Sequence, residues 1–428
     1  MPVYQSPGVY VEETPSAVKP IAGASTSTAA FIGIAPDALK LVARGAPDAS
    51  GRPTTKLVNF PLPMIDKTPA LITNWTQFTR LFGDLIGDSA AEGVPVENPE
   101  VDEGHRKLAH AVYGFFNNGG SRCYVVRIKS TSDPLGFDPA DLDSALKAFE
   151  AIDEIALVAA PGMIDESVRA KLVEHCNTTG DRFAILDGPA TGDPADQTDI
   201  THPSDMAALY FPWIRVFDPA SKLIDPNSDG LIDVAPSGHI AGVYARVDAQ
   251  RGVFKSPANE PILGASGVSQ PISKADQDIL NPAGVNCIRL INNNIMVWGA
   301  RTLGGEANGE LKYISSRRTL LFLRESIEEG VQWAVFEPNT PALWQRITRN
   351  VTAFLTDVWR SGALFGATAR EAFFVKCDAE TNPSESRANG QVVAEVGVAI
   401  SQPAEFIIFR ISQSTAQGAS AGQIGAGR

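Results

Sequence analysis

Cys123-Tyr124-Val125-Val126-Arg127-Ile128 is a short apolar run, followed by Leu142, Ala145, Leu146 and Phe149 at helical spacing. A second apolar run occupies 155–160, a second helical stretch 166–176, and a third run 183–186. Short apolar runs alternating with helical periodicity mark successive strand-helix-strand units on a largely parallel sheet. Three units in a row make an open α/β sheet the expected core.

Working toward the N-terminus, 107–116 reads as a helix stopped by Asn118-Gly119-Gly120, since glycine takes the left-handed C-terminal conformation without steric cost. A short helix is expected at 76–83, a Pro-, Gly- and Thr-rich loop at about 43–69, and the first strand at 29–34. Before it, Gly8-Val9-Tyr10-Val11-Glu12-Glu13 is a lone strand-like piece in a segment of Pro, Ala, Ser and Thr. One strand cannot satisfy its backbone alone, so this is an arm that needs a sheet elsewhere.

Toward the C-terminus, 189–285 is rich in Pro, Gly, Asn and Ser, with a strand expected at 208–217 and only short elements around it, including a compact stretch at 236–246. Strands follow at 288–291 and 295–299, then helices at 314–330 and 341–361. The last carries Leu343, Trp344, Ile347, Val351, Phe354, Leu355 and Val358 on one stripe. Strands are expected at 373–377, 392–400 and 405–411, and Phe406-Ile407-Ile408-Phe409 is apolar on both faces, so it needs cover on both sides or pairing with other chains. After Ser412 the Gly, Ala, Ser and Gln composition cannot build a core.

The expected organisation is α/β: a mixed, largely parallel sheet core with flanking helices, an irregular β-rich middle region, and extended arms at both ends. Its divisions are an N-terminal arm (1–28), an α/β domain (29–188), a loop-rich region (189–285) with an insertion at 218–235, a C-terminal domain (286–411) and a C-terminal arm (412–428).

The chain has 428 residues and a formal net charge of -13, against the clustered Lys and Arg that nucleic-acid binding requires. Cys123, Cys176, Cys287 and Cys377 are far apart, with no C-x-x-C pair, and are expected to be buried thiols. The opening residues lack a basic and apolar leader and no long apolar stretch occurs, so synthesis and assembly in the cytoplasm without membrane insertion are expected.

Catalytic motifs are mostly missing: there is no phosphate-binding loop, no dinucleotide fingerprint and no H-E-x-x-H. The chain is expected to be no enzyme and to carry no cofactor. An α/β enzyme is the alternative, with Asp187-Gly188 at a strand end as the place for an acid, read as a turn without an evident partner. Asp225, Asn227, Asp229 and Asp233 resemble the opening of a calcium loop, and a calcium-dependent surface protein is a third, weaker reading. Position 12 of that loop, however, is Pro236 where a bidentate Glu belongs. His105, His110, His175, His202 and His239 fall in no metal-ligand spacing and are read as surface or capping residues. Arg346, Arg349 and Arg360, with Gln345 and Asn350, lie off the apolar stripe of the 341–361 helix, as a solvated face or a basic ridge for an acidic partner.

Several blocks in order resemble the contractile tail sheath family of contractile-tailed phages, R-type pyocins and phage-like extracellular injection systems. They are Ser6 to Glu13, Pro236-Ser237-Gly238-His239-Ile240-Ala241-Gly242, Trp298-Gly299-Ala300-Arg301-Thr302, Tyr313 to Arg318, Gln332 to Asn339, Leu364 to Ala367 and Ala372 to Asp378. The likeness covers the N-terminal arm and about 236–411 firmly and the middle loosely, and 218–235 departs from the family pattern.

The resemblance implies a structural subunit that polymerises with itself as stacked hexameric rings around an inner tube and contracts from a metastable extended state. Arms from neighbouring subunits would complete a sheet on the C-terminal domain, with Val9, Tyr10, Val11, Phe406 and Ile408 as the exchanged strands. The 341–361 helix would contact the tube through Arg346, Arg349 and Asn350. Further partners implied are baseplate and tail terminator proteins and, in some particles, paralogous sheath subunits. The setting would be a phage tail or a released extracellular particle.

Overall fold

The computed structural model describes residues 20–61, 68–85, 102–133, 135–225 and 227–408. Val9, Tyr10 and Val11, and the expected strand beyond Ile408, lie outside these residues.

In chain order, β1 (Ala29–Ala35) leads into a hairpin of β2 (Ala38–Arg44) and β3 (Thr55–Pro61). Then come β4 (Ala70–Ile72), α1 (Trp75–Phe82), α2 (Glu103–Asn117), β5 (Cys123–Lys129), α3 (Pro139–Glu150), β6 (Leu157–Ala159), α4 (Glu166–Thr179) and β7 (Phe183–Asp187). The chain continues through β8 (Ala207–Phe211), β9 (Ile214–Phe217), α5 (Pro219–Ile224), β10 (Leu231–Val234), α6 (Ser237–Arg251), β11 (Glu260–Pro261), β12 (Ala265–Val268) and α7 (Lys274–Leu280). Last are β13 (Val285–Ile291), β14 (Asn294–Val297), α8 (Ile314–Val331), α9 (Pro341–Arg360), α10 (Ala369–Ala372), β15 (Phe373–Lys376), α11 (Ser384–Ala388) and β16 (Glu395–Val398).

Nine strands form one sheet in the order β11-β14-β13-β8-β7-β6-β1-β5-β4. The six from β13 to β5 are parallel, and antiparallel strands close both edges. The centre is apolar on both faces because helices cover both: every residue of β1, β7 and β8 is buried.

The strand-helix alternation read at 123–186 is present, with boundaries shifted by a few residues. The middle region differs from expectation, because β8 and β13 extend the same sheet and the boundaries near 188 and 285 fall inside one core. The expected strand at 208–217 is two strands, interrupted at Pro212, which has no amide to give a ladder. The expected loop at 43–69 contains the β2–β3 hairpin, in register over seven pairs.

The largest departure is 236–246, which is no short element but the start of a 15-residue helix, α6, with nearly every residue to Val247 buried. It lies directly on α2. A Cβ on Gly238 would fall within 3.0 Å of main-chain atoms of Ala111, and one on Gly242 would meet Phe115 and Asn118. Two glycines four apart share one helix face, so the backbones can approach where any side chain would hold them apart.

The core divides into two clusters. The larger runs from Ala29 to Leu321, and the second gathers Leu323, the α9 stripe, Leu364 and Phe373. All seven stripe residues expected on α9 are buried.

Candidate functional site

The second cluster carries an incomplete sheet. β15 and β16 pair antiparallel over four positions, Phe373 with Val398 through Lys376 with Glu395, and no third strand joins them among the described residues. A two-stranded sheet is marginal in water. This one also leaves Phe374 57% exposed, and Val392, Val393 and Val396 are exposed as well. Buried Asn382 stands in for part of a ladder, exchanging hydrogen bonds with the carbonyl and amide of Val393 at 2.9 and 2.7 Å.

Arginines anchor the chain near both ends of the described residues. Thr26 gives its carbonyl to Arg318 at 2.7 Å and Ala24 donates its amide to Ser326 Oγ at 2.9 Å, so the N-terminal root lies along α8. Arg318 is 3% exposed, pairs bidentately with Asp248 and lies over the Tyr244 ring. Such a guanidinium is stable in the interior because its charge is matched and its donors are used. At the other end Ser401 is fixed to Ala363 and Gly362, and Glu405 reaches the α/β body, where Arg301, Asn281 and Tyr313 hold its carboxylate. Phe406, Ile407 and Ile408, expected as a strand, are unpaired coil and 72–76% exposed.

On α9, Arg349 is exposed, whereas Arg346 is half-buried, stacked over Trp333 at 4.3 Å and 3.7 Å from Glu337. Asn350, expected on the same open face, is 3% exposed and belongs to the packed side, so it is not available to an outside surface. Arg360 lies 3.6 Å from Asp357.

Four of the five histidines are buried, not superficial. His110 meets the Asp218 carboxylate at 3.2 Å beside Arg106. Burial lowers His105 and His175 to about 4, and His239 to about 3. Asp218 also caps α5 through Ser221, so the 218–235 segment is tied into the body.

The calcium-like oxygens do not converge: Asp225 and Asp229 accept from amides two residues on, and Asp233 pairs with Arg215 at 3.0 Å. Among the described residues no three acidic, His or Cys side chains form a metal-sized group. Asp187 has a partner that the sequence did not reveal. It accepts from the amide and hydroxyl of Ser237 at 2.8 and 2.7 Å and from Gly162 at 3.0 Å, fixing the start of α6 to the end of β7. Burial raises it to about 6 against those bonds. The crevice at the strand ends, where an α/β enzyme binds its ligand, is a cavity of about 220 Å³ walled mainly by Ile34, Leu135, Phe137, Met163 and Trp213, with Lys107 over the Trp213 ring. All four cysteines are buried and free, and no helix among the described residues is long and apolar enough to cross a membrane.

Sequence reasoning missed the roles of Arg301, Arg318 and Asp187. The signal for Arg301 was present: it sits in an otherwise apolar and small-residue block, where a charge must be paired.

Comparison with known proteins agrees with the expected family. Residues 136–303 match the phage tail sheath protein central domain and 306–414 the phage tail sheath C-terminal domain. A putative prophage major tail sheath protein of Pseudomonas aeruginosa (strain UCBPP-PA14) is 27% identical over 263 residues, 60% of this chain and 64% of that protein. The tail sheath protein of Burkholderia phage BcepMu is 26% identical over 50% of this chain and 44% of its own length. The chain therefore spans about half to two thirds of these curated relatives.

Among solved structures, the contracted sheath complex of the extracellular contractile injection system PVC superimposes with a TM-score of 0.70 at 26% identity, covering 97% of this chain and 100% of the other. The contracted helical sheath of the anti-feeding prophage gives 0.69 at 27%, covering 96% and 100%. The two domain models together take in well over half of the sequence, and the chain belongs to the phage tail sheath family.

Proposed function

We propose that this protein is the structural subunit of a contractile sheath, polymerising with itself as stacked hexameric rings around an inner tube and contracting to drive that tube through a target envelope. The observation that carries the proposal is the two-stranded sheet of β15 and β16, with exposed Phe374 and Val396 and no third strand among the described residues. Terminal strands donated by neighbouring copies, centred on Val9, Tyr10 and Val11 and on Phe406 and Ile408, would add main-chain ladders and cover the apolar side chains. Donation from one copy to the next does not close on itself in a pair, so it propagates as an open assembly.

Contraction then needs no nucleotide. Strand pairing holds neighbours in a mesh while the α/β bodies rotate as rigid units from a metastable packing to a compact one. The open face of α9, with Arg346 and Arg349, is the surface assigned to the inner tube, and baseplate and terminator proteins close the ends. Assembly takes place in the cytoplasm, and the product is a phage tail or a released particle.

Deleting residues 1–20 tests this. The truncated chain should fold as a monomer with an unchanged far-UV spectrum and form no tubes by negative-stain microscopy. Tubes of normal length from the truncated chain would overturn the assignment.

A further inference from the structure

The C-terminal root poses a problem that the sheath reading leaves open. β16 ends at Val398, and the apolar strand candidate begins only at Phe406. A return of that length onto its own sheet costs little loop entropy. The local concentration of a tethered strand is in the millimolar range, so self-pairing should outcompete donation to a neighbour. In the structure it does not happen. Residues 399–401 are held at Ala363, Phe365 and Ala372, and within four more residues the chain has left the C-terminal lobe for the α/β body.

The device that takes it there is a built socket. Arg301 is 3% exposed and donates Nε to Glu405 Oε1 at 2.9 Å and Nη2 to Oε2 at 2.8 Å. Asn281 Nδ2 adds a bond to Oε1 at 2.7 Å, and the Tyr313 hydroxyl one to Oε2 at 2.9 Å. A two-pronged guanidinium fixes orientation as well as distance. The socket is also preorganised, since Arg301 Nη1 reaches Glu306 at 2.8 Å and the Asn281 carbonyl at 3.3 Å without the arm. Pro403, between the two attachment points, favours an extended course.

We propose that the Arg301 socket decides whose sheet the C-terminal strand joins: by seating Glu405 on the α/β body, it carries Phe406, Ile407 and Ile408 off the subunit's own β15–β16 edge and leaves them for a neighbouring copy. The proposal rests on the sheath reading for the identity of the acceptor. Arg301, Asn281 and Tyr313 are positioning residues in it, acting through Glu405. Glu405 thus marks where the fixed body ends and the exchangeable arm begins.

The test uses the full chain with Glu405→Ala and Glu405→Gln, and Arg301→Lys as a variant that keeps charge but loses the fork. Both Glu405 variants leave Arg301 paired with Glu306, so they should still fold, with a lowered melting temperature that Glu405→Gln, which keeps the shape and an acceptor oxygen, lowers less. Two readouts are taken: the total concentration at which tubes pellet, and amide exchange of 395–398 and 406–408 in the unassembled protein. In the wild type, 406–408 should exchange freely before assembly. In Glu405→Ala, 406–408 and the β16 amides that face away from β15 should become protected in the monomer, and the tube threshold should rise about tenfold, the ratio that 1.4 kcal/mol gives. An unchanged threshold with unchanged exchange overturns the proposal. A raised threshold without protection also does, reducing Glu405 to a tie between lobes. If wild-type protein forms no tubes at any concentration the sheath reading fails, and the exchange comparison still tests the socket.

Discussion

Gly238→Ala should destabilise the α/β body even though alanine is the better helix former. The substitution gains about 0.5–1 kcal/mol of helix propensity. Against that, the new methyl would stand within 3.0 Å of the Cα, carbonyl carbon and oxygen of Ala111, all main-chain atoms of α2. α2 cannot yield easily, because Leu108, Val112 and Phe115 lock it into the main core. Overpacking of this kind costs about 1–3 kcal/mol and sometimes more, so a net loss of about 1–2 kcal/mol is expected.

Thermal unfolding of the unassembled protein should show a fall of a few degrees, at about 2–4 °C per kcal/mol for a body of this size. The control is on the same helix pair. The three atoms nearest a methyl at Gly114 all belong to the His239 imidazole, a side chain. Gly114→Ala should therefore be relieved by His239→Ala, with a favourable coupling of about 1 kcal/mol or more in a double-mutant cycle. Gly238→Ala should gain nothing from Ala111→Gly, which removes no offending atom. Wild-type stability for Gly238→Ala, or its rescue by Ala111→Gly, would refute the close-backbone account.

Two other outcomes follow from the charges. Charge reversal at Arg346 and Arg349 should weaken loading onto the inner tube several-fold at about 0.05 M salt, with the difference fading near 1 M, where the screening length is about 3 Å; equal loading in low salt removes the tube-contact assignment. Acid should weaken the body: His105, His175 and His239 are held neutral by burial, at about 4, about 4 and about 3, so their full contribution is present above pH 6.5 and drains as pH falls toward 4. Each contributes a loss of about 2 kcal/mol by pH 5. Asp187 and Glu325, raised by burial to about 6 and about 7, gain stability over the same descent, but their total is smaller, Glu325 being partly exposed and screened. A melting temperature at pH 5 equal to that at pH 7 would count against buried neutral imidazoles.

The parts of the fold that depend on local periodicity were legible. The strand-helix alternation from Cys123 to Leu186 and the seven-residue stripe of α9 follow from one repeating burial demand, which a single chain displays. α6 was not legible by that route, because it is buried nearly all round and has no polar face to set a period; its signal is the spacing of Gly238 and Gly242. The histidines were misplaced because burial of a polar ring depends on what packs against it from elsewhere, as Asp218 does for His110. Asn350 was misplaced because the second core wraps past the apolar stripe. Of the proposed assembly surface, the surplus apolar character of Phe406 to Phe409 could be read directly. The grip of Arg301 on Glu405, 104 residues away in sequence, could not.

α8 contributes to both cores, the first through Ile314 and Leu321 and the second through Leu323, with the N-terminal root laid along it as far as the contact of Ile21 with Gly330. A continuous 18-residue rod shared in this way acts as an axle keyed into two wheels. A rotation of one lobe should therefore carry the other with it. Under the proposed sheath role, rearrangement would then fall on the contacts between subunits and not on the joint between the two lobes.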